Sequence, residues 1–276
     1  MVLTKPNGNR SEECMARQKD AETTGRTARL VVLAENDVDW NAAQLLADHL
    51  QVEAVCGGQK AEGADLVLRM DEDGLALVGG ELVLRGDFTR MLPRLRIGNL
   101  QRELLVRAAK VKKPEGIPTA VDATAGLGED ALLLAAAGFS VRLYEYDPVI
   151  AALLKDTLRR ALEIPELAPI VGRMEVREEN SLTALPQMTE SPDVILLDPM
   201  FPERQKSALI KKKFQLLQQL ESPCAEEDAL VHAAMEAHPR KIVIKRPLKG
   251  PNLAGIKPSH SLKGKAIRYD CLVLPR

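Results

Sequence analysis

Two stretches of the chain carry side chains whose types and spacing suit chemistry. The first is Val121-Asp122-Ala123-Thr124-Ala125-Gly126-Leu127-Gly128-Glu129-Asp130-Ala131. Small residues after an apolar strand let the backbone turn tightly against a ligand, and the helix that follows offers unpaired N–H groups at its start. Gly126, Gly128 and Ala131 also fit the dinucleotide-binding spacing of an oxidoreductase, so the glycines alone do not choose a cofactor. Two carboxylates narrow the choice: Asp122 ends the strand, and Glu145 ends the next one 23 residues later. A carboxylate in the loop mouth repels a pyrophosphate but suits a cofactor that carries a cationic sulfonium and an amino group. A capping or turn role is the plainer alternative for Asp122. Glu145 can accept hydrogen bonds from a ribose diol in either cofactor, and Tyr146 beside it can pack on an adenine ring.

The second stretch, Asp193-Val194-Ile195-Leu196-Leu197-Asp198-Pro199-Met200-Phe201-Pro202, is an apolar strand that runs into a stiff, acidic and aromatic loop. These residue types fit amine chemistry. An exocyclic amino group has its lone pair delocalised into the ring, so its N–H groups must be held by acceptors while the nitrogen points at the donor. Asp198 and the carbonyl of Pro199 supply acceptors, the prolines stiffen the loop, and Phe201 can stack on a base. Placement rather than a strong base does most of the work in such a site. An ordinary Asp-Pro turn with a core Phe is the bland alternative.

The elements that must position these loops read as two units. Residues 1–27 are polar without a sustained period and are expected to form a flexible tail. Residues 28–98 are expected to form a small α/β unit: strands at Leu30–Ala34, Val52–Cys56, Leu66–Met70, Leu75–Val78 and Glu81–Leu84, a helix over Asn41–Leu50 with Asp39 as a possible N-cap, and a Gly79-Gly80 turn. A helix over Leu100–Val111 opens residues 99–276, the larger unit. Its strands at Ala120–Asp122, Val141–Glu145, Met174–Arg177, Val194–Asp198 and Lys241–Lys245 alternate with helices, which predicts a doubly wound parallel sheet. Ser259–Leu274, turning at Gly264, is expected to close it with an antiparallel hairpin.

Composition limits the partners. Of the 276 residues 45% are apolar and 28% charged, so a sizeable core is possible. No apolar run approaches the roughly 20 residues that span a bilayer, and the start does not read as a secretion signal, so a cytoplasmic protein without a membrane partner is expected. Four separated cysteines and the scattered His49, His232, His238 and His260 indicate neither a disulfide framework nor a metal. Net charge is only −1, yet Lys and Arg outnumber Asp and Glu by nine to two over 85–113 and by ten to one over 240–276. These segments, together with the Lys211-Lys212-Lys213 run, either contact a polyanion or form solvated faces. The candidate polyanion contacts are Arg94, Arg96, Arg102, Lys206, Lys211, Lys245 and Arg246. Aromatic residues reach only 3%, so phosphates and shape rather than a stacking platform would carry recognition.

Over most of residues 80–276 the chain resembles the bacterial 16S ribosomal RNA guanine-N2 methyltransferases of the J type. The resemblance rests on Asp122-Ala123-Thr124-Ala125-Gly126-Leu127-Gly128, Asp147-Pro148-Val149-Ile150-Ala151-Ala152-Leu153-Leu154, Asn180-Ser181-Leu182, Asp198-Pro199-Met200-Phe201-Pro202, Gln205-Lys206-Ser207-Ala208-Leu209 and Lys245-Arg246-Pro247. It implies a Rossmann-like class I methyltransferase sheet, S-adenosylmethionine as cofactor, and 16S ribosomal RNA or the small ribosomal subunit as partner. It further implies cofactor contacts at Glu129, Asp130, Glu145, Tyr146, Asn180, Ser181 and Asp198, beside the Asp122, Gly126 and Gly128 loop. Glu129 stands where the family has an Arg, and Tyr146-Asp147 replaces its more usual Arg-Asn. Methylation of another amino group in DNA or protein, a nicotinamide-dependent oxidoreductase and a non-catalytic RNA-binding protein are the alternatives.

Overall fold

The computed structural model describes residues 28–57, 61, 63–112, 116–199 and 227–275. The tail at 1–27, Phe201, Lys206 and Lys211 lie outside the described residues.

The first sheet is built from β1 (Leu30–Ala34), β2 (Glu53–Cys56), β3 (Leu66–Asp71), β4 (Gly74–Gly79) and β5 (Leu82–Leu84), in the order β2-β1-β3-β4-β5. Helix α1 (Trp40–Leu50) carries the chain from β1 to β2, which pair in parallel, as β1 and β3 do. The last two strands fold back as antiparallel hairpins. Gly80, at φ +57°, occupies the turn into β5, where a side chain would strain the backbone. Asp39 does stand at the N-cap of α1, although its side chain makes no cap hydrogen bond.

A 3-10 turn (Phe88–Met91) and three short helices, α2 (Leu92–Leu95), α3 (Ile97–Leu100) and α4 (Leu104–Ala109), lead into the second sheet. The single helix expected over 100–111 is thus two, starting earlier and broken between Leu100 and Leu104. Strand β6 (Thr119–Asp122), helix α5 (Glu129–Ala136), β7 (Ser140–Tyr144), α6 (Pro148–Leu162), α7 (Ala168–Val171), β8 (Met174–Arg177), α8 (Ser181–Ala184), β9 (Val194–Leu197), α9 (Glu227–Glu236), β10 (Lys241–Pro247), β11 (His260–Lys263) and β12 (Ile267–Val273) follow. Their order is β11-β12-β10-β9-β6-β7-β8, parallel from β10 to β8, with the expected antiparallel hairpin at the other edge.

The chain moves outward from β6 through β7 to β8, then returns to place β9 and β10 on the far side of β6. That reversal between β6 and β9 leaves a crevice outside their carboxyl ends, the usual ligand position in open α/β sheets. The β9 run Val194-Ile195-Leu196-Leu197 is buried on both faces because helices cover the sheet on both sides.

The cores do not divide at residue 98. Phe88, Met91, Leu100 and Leu105 pack with Ala120, Leu133, Val194 and Val243 in the core of the seven-stranded sheet, so the segment after Leu84 joins the larger unit. Helix α6 joins both units: Val149, Ile150 and Leu153 face the first sheet, while Leu154 and Ala161 belong to the second core. Polar bonds fasten this junction. Asp156 accepts from the Leu75 N–H at 3.0 Å, and Arg160 donates to the Gly86 carbonyl at 2.7 Å. No helix among the described residues is long and apolar enough to cross a membrane.

Candidate active site

The loop after β6 is sewn to its neighbours by main-chain bonds. Ala123 N–H donates to the Leu196 carbonyl at 3.0 Å, Ala125 N–H to the Tyr144 carbonyl at 3.1 Å, and Gly128 N–H to the Ala125 carbonyl at 2.8 Å. Gly126 and Gly128 take φ of +53° and +77°, where L side chains are strained. Their surroundings differ. A Cβ on Gly128 would come within 2.7 Å of Leu154 Cδ1, so the loop lies directly on α6; a Cβ on Gly126 would meet nothing within 4 Å, which leaves an open cradle above the loop.

Glu145, just past β7, is buried and closes this cradle from one side. Its Oε2 accepts the Gly126 N–H at 2.8 Å and its Oε1 accepts the Asp147 N–H at 2.9 Å. Asp147 then caps α6 through the N–H groups of Val149 and Ile150 at 2.8 and 3.2 Å, with Pro148 in the first turn. Tyr146 between them is 69% exposed, so its ring is available to a flat partner. Past β8, Asn180 caps α8 by accepting the Leu182 N–H at 2.9 Å, and Ser181 is buried beside it. Glu129 and Asp130 occupy the first turn of α5.

On the other side of the reversal, Asp198 leaves β9 with its N–H bonded to Thr124 Oγ1 at 2.7 Å, and Pro199 follows, buried. The two loops singled out in the sequence therefore touch. Lys245, near the end of β10, donates to Oδ2 of Asp198 and to Oδ2 of Asp130, both at 2.7 Å. Burial alone would push the Lys245 ammonium down, but the charges of Asp130 and Asp198 outweigh it and hold the group well above the usual lysine range. Tyr269, opposite Lys245 on β12, has its phenol pushed up by burial and by the charge of Asp130.

Several expected roles change. Asp122, expected at the loop mouth, is 2% exposed, and its Oδ1 accepts the Thr124 N–H at 3.2 Å. Burial, reinforced by the charge of Asp130, pushes its carboxyl up to about 8. Lys245, expected at an RNA phosphate, meets two carboxylates here. Arg246 is likewise no RNA contact, because its side chain is buried, with Nε on the Pro251 carbonyl at 3.0 Å and Nη1 on Glu227 at 3.3 Å. Arg94, Arg96 and Arg102 are all exposed, and Arg94 pairs with both oxygens of Glu103 at 2.7 and 2.8 Å. Arg94, Asn99, Arg102 and Tyr269 help line a cleft of about 400 Å³. Thr124 and Asp147 carry bonds that sequence reasoning did not assign; the Asp147-Pro148 pair ahead of an apolar run was the available signal for the second.

This donor set fits S-adenosylmethionine. The open cradle at Gly126 admits a ligand against the backbone, the start of α5 offers N–H groups to a carboxylate, Glu145 suits a ribose diol, and the exposed Tyr146 ring suits adenine. When bound, such a cofactor supplies an electrophilic methyl group on a cationic sulfur.

Comparison with known proteins agrees. The family described as "Putative SAM-dependent methyltransferase" matches residues 56–274. A protein of Pseudomonas fluorescens named ribosomal RNA small subunit methyltransferase J is 39% identical over 250 residues, covering 82% of this chain and 95% of the relative. Its namesake in Marinobacter nauticus is 39% identical over 237 residues, covering 83% and 85%. A crystal structure of a SAM-dependent methyltransferase from Neisseria gonorrhoeae superposes with a TM-score of 0.68 at 28% identity, covering 88% of this chain and 95% of that one. The chain is thus a member of the S-adenosylmethionine-dependent methyltransferase family to which ribosomal RNA small subunit methyltransferase J belongs.

Proposed function

We propose that the protein transfers a methyl group from S-adenosylmethionine to the exocyclic N2 of a guanine in 16S ribosomal RNA, presented as free RNA or within the small ribosomal subunit. The single observation that supports amine chemistry is the bond from the Asp198 N–H to Thr124 Oγ1, which ties the end of β9, at the chain reversal, to the cofactor loop. Ribosomal RNA as the acceptor is supported by the names of the relatives at 39% identity. In this reading Asp198 and the Pro199 carbonyl accept the two N–H groups of the amine, which turns its lone pair toward the methyl group. The bound cofactor would supply the methyl group and leave as its neutral thioether, and the proton lost by the nitrogen would pass to water.

Among the described basic residues, the exposed Arg96 and Arg102 are the ones we assign to RNA phosphates, with Arg94 held back by Glu103. Lys206 and Lys211 remain assigned by sequence alone, as does Phe201 as the base-stacking residue. Mass spectrometry of 16S ribosomal RNA from a deletion strain tests the proposal. One guanine is expected to lose a methyl group on N2 and to regain it on complementation with the wild-type gene but not with Asp198→Ala. An RNA with unchanged guanine methylation sinks the assignment.

A further inference from the structure

Methyl transfer requires the acceptor loop and the cofactor loop to keep a fixed separation, because a misplacement of about 1 Å can cost roughly a hundredfold in rate. Thr124 supplies one tie between them, through the main chain of Asp198. Lys245 supplies the tie to the side chain. Its Nζ bridges Asp198, at the end of β9, and Asp130, in the first turn of the helix that starts at the cofactor loop. Three elements that are distant in sequence, β10, the β9 end and α5, thereby meet at one nitrogen.

We propose that Lys245 is a positioning residue for the transfer: its ammonium fastens the Asp198 carboxylate to Asp130, so that one contact orients the amine acceptor relative to the cofactor helix. The inference rests on the reading of Asp198 given above.

Charge explains why a cation is tolerated so close to a cradle built for a sulfonium. An isolated ammonium there would repel the donor, but with two carboxylates on it the trio carries one net negative charge. Without it, Asp122, Asp130 and Asp198 would crowd one end of the sheet and repel each other. Arginine could preserve the charge but not the point-like geometry, since its planar fork is larger. A phosphate-binding role is the competing assignment. It is disfavoured because the lysine side chain is only 26% exposed and already holds two acceptors.

The test uses the full chain, labelled S-adenosylmethionine and small subunits from a strain lacking the enzyme. For Lys245→Met, kcat is expected to fall about a hundredfold, with KM for the subunit and Kd for the cofactor within about threefold of wild type. The acid limb of the kcat profile should move to higher pH, because a carboxylate deprived of its cation is protonated more easily. Lys245→Arg should recover at least about tenfold of the loss. A Lys245→Met enzyme with kcat within threefold of wild type overturns the proposal. So does a loss confined to the KM for the subunit with a shallower salt dependence, which is the signature of a lost phosphate contact. If Lys245→Met fails to fold, Asp130→Asn decides: it keeps Lys245 on Asp198 but weakens the tether, and kcat at saturating cofactor should drop about tenfold, whereas an unchanged kcat overturns the proposal. A wild-type enzyme that transfers no methyl to the subunit refutes the reading of Asp198 instead, before any variant is compared.

Discussion

The two sides of the crevice hold their carboxylates by different means. Glu145 is buried between main-chain amides supplied by Gly126 and Asp147, residues 19 and 2 positions away. Asp198 is held by an ammonium 47 positions away, which is itself anchored to Asp130 a further 115 positions back from Lys245. An amide-held carboxylate needs only a local turn and cannot be neutralised by a change of one side chain. An ion cluster needs the whole sheet, and one substitution unbalances it. The cofactor side is thus fixed by the backbone, and the acceptor side by charges brought together only when β9, β10 and α5 meet.

Removing each carboxylate in turn sharpens that contrast. Asp198→Ala should reduce kcat by about 10²–10³-fold while leaving cofactor affinity within a few fold, because the side chain acts on the amine and not on the cradle. Single-turnover methyl transfer combined with calorimetry separates the two effects. Equal losses in both would mean that the sides are not independent. Glu145→Ala should do the reverse. It strips the acceptor from two amide N–H groups, and charge-assisted bonds of this kind contribute about 1.5–3 kcal/mol each. Cofactor affinity is expected to fall by about 10- to 100-fold, with a lower melting temperature and a smaller change in kcat at saturation. Glu145→Gln, which keeps one acceptor oxygen, should fall between the variant and the wild type.

Much of this layout is legible in the sequence, and the exceptions share a cause. The strand Val194–Leu197, the glycine loop and the closing hairpin follow from local pattern, because periodicity and turn residues act over a few positions, whereas the turn into β5 falls one residue later than expected, at Gly80-Glu81. Seven of the site residues sought from sequence, Gly126, Gly128, Asp130, Glu145, Tyr146, Ser181 and Asp198, stand at the carboxyl end of the parallel strands or in the loops and first helical turns that follow them. What pattern cannot show is which of two cores an apolar residue joins. Phe88 and Met91 fall within the span expected for the smaller unit, yet they pack in the core of the second sheet. The same blindness affects charge. Lys245 and Arg246 add two positive charges to a basic segment, but one closes an ion cluster and the other is buried on a carbonyl and Glu227. For Asp122 the turn role offered beside the cofactor role has a visible partner in the Thr124 N–H, because a carboxylate at a strand end can reach its own loop.

Asp122 is also the point at which the acceptor-side charges reach the cofactor side, and its ionisation measures how strongly. Its carboxyl is pushed from an ordinary 3.8 up to about 8, first by burial and then by the charge of Asp130, with Asp198 adding to the effect and Lys245 opposing it. Between those two values the folded protein keeps a proton that the unfolded chain has released. Stability therefore falls as pH rises from about 4 to about 8 and is flat in this respect above 8. Asp122→Asn removes the slope. The variant should gain on the wild type in melting temperature across that window, by about 2–4 °C for each kcal/mol recovered in a chain of this size. A constant difference from pH 5 to 8 would mean that Asp122 is already ionised and that the cluster does not act on it. A cationic ligand arriving over the loop favours the ionised form, so cofactor binding at pH 7 should release protons from the wild type, and release fewer from Asp122→Asn. Calorimetry in two buffers of different ionisation enthalpy reads that difference directly. Adding Lys245→Met should push the Asp122 carboxyl up further, because the lysine charge, after the Thr124 N–H bond, opposes the rise.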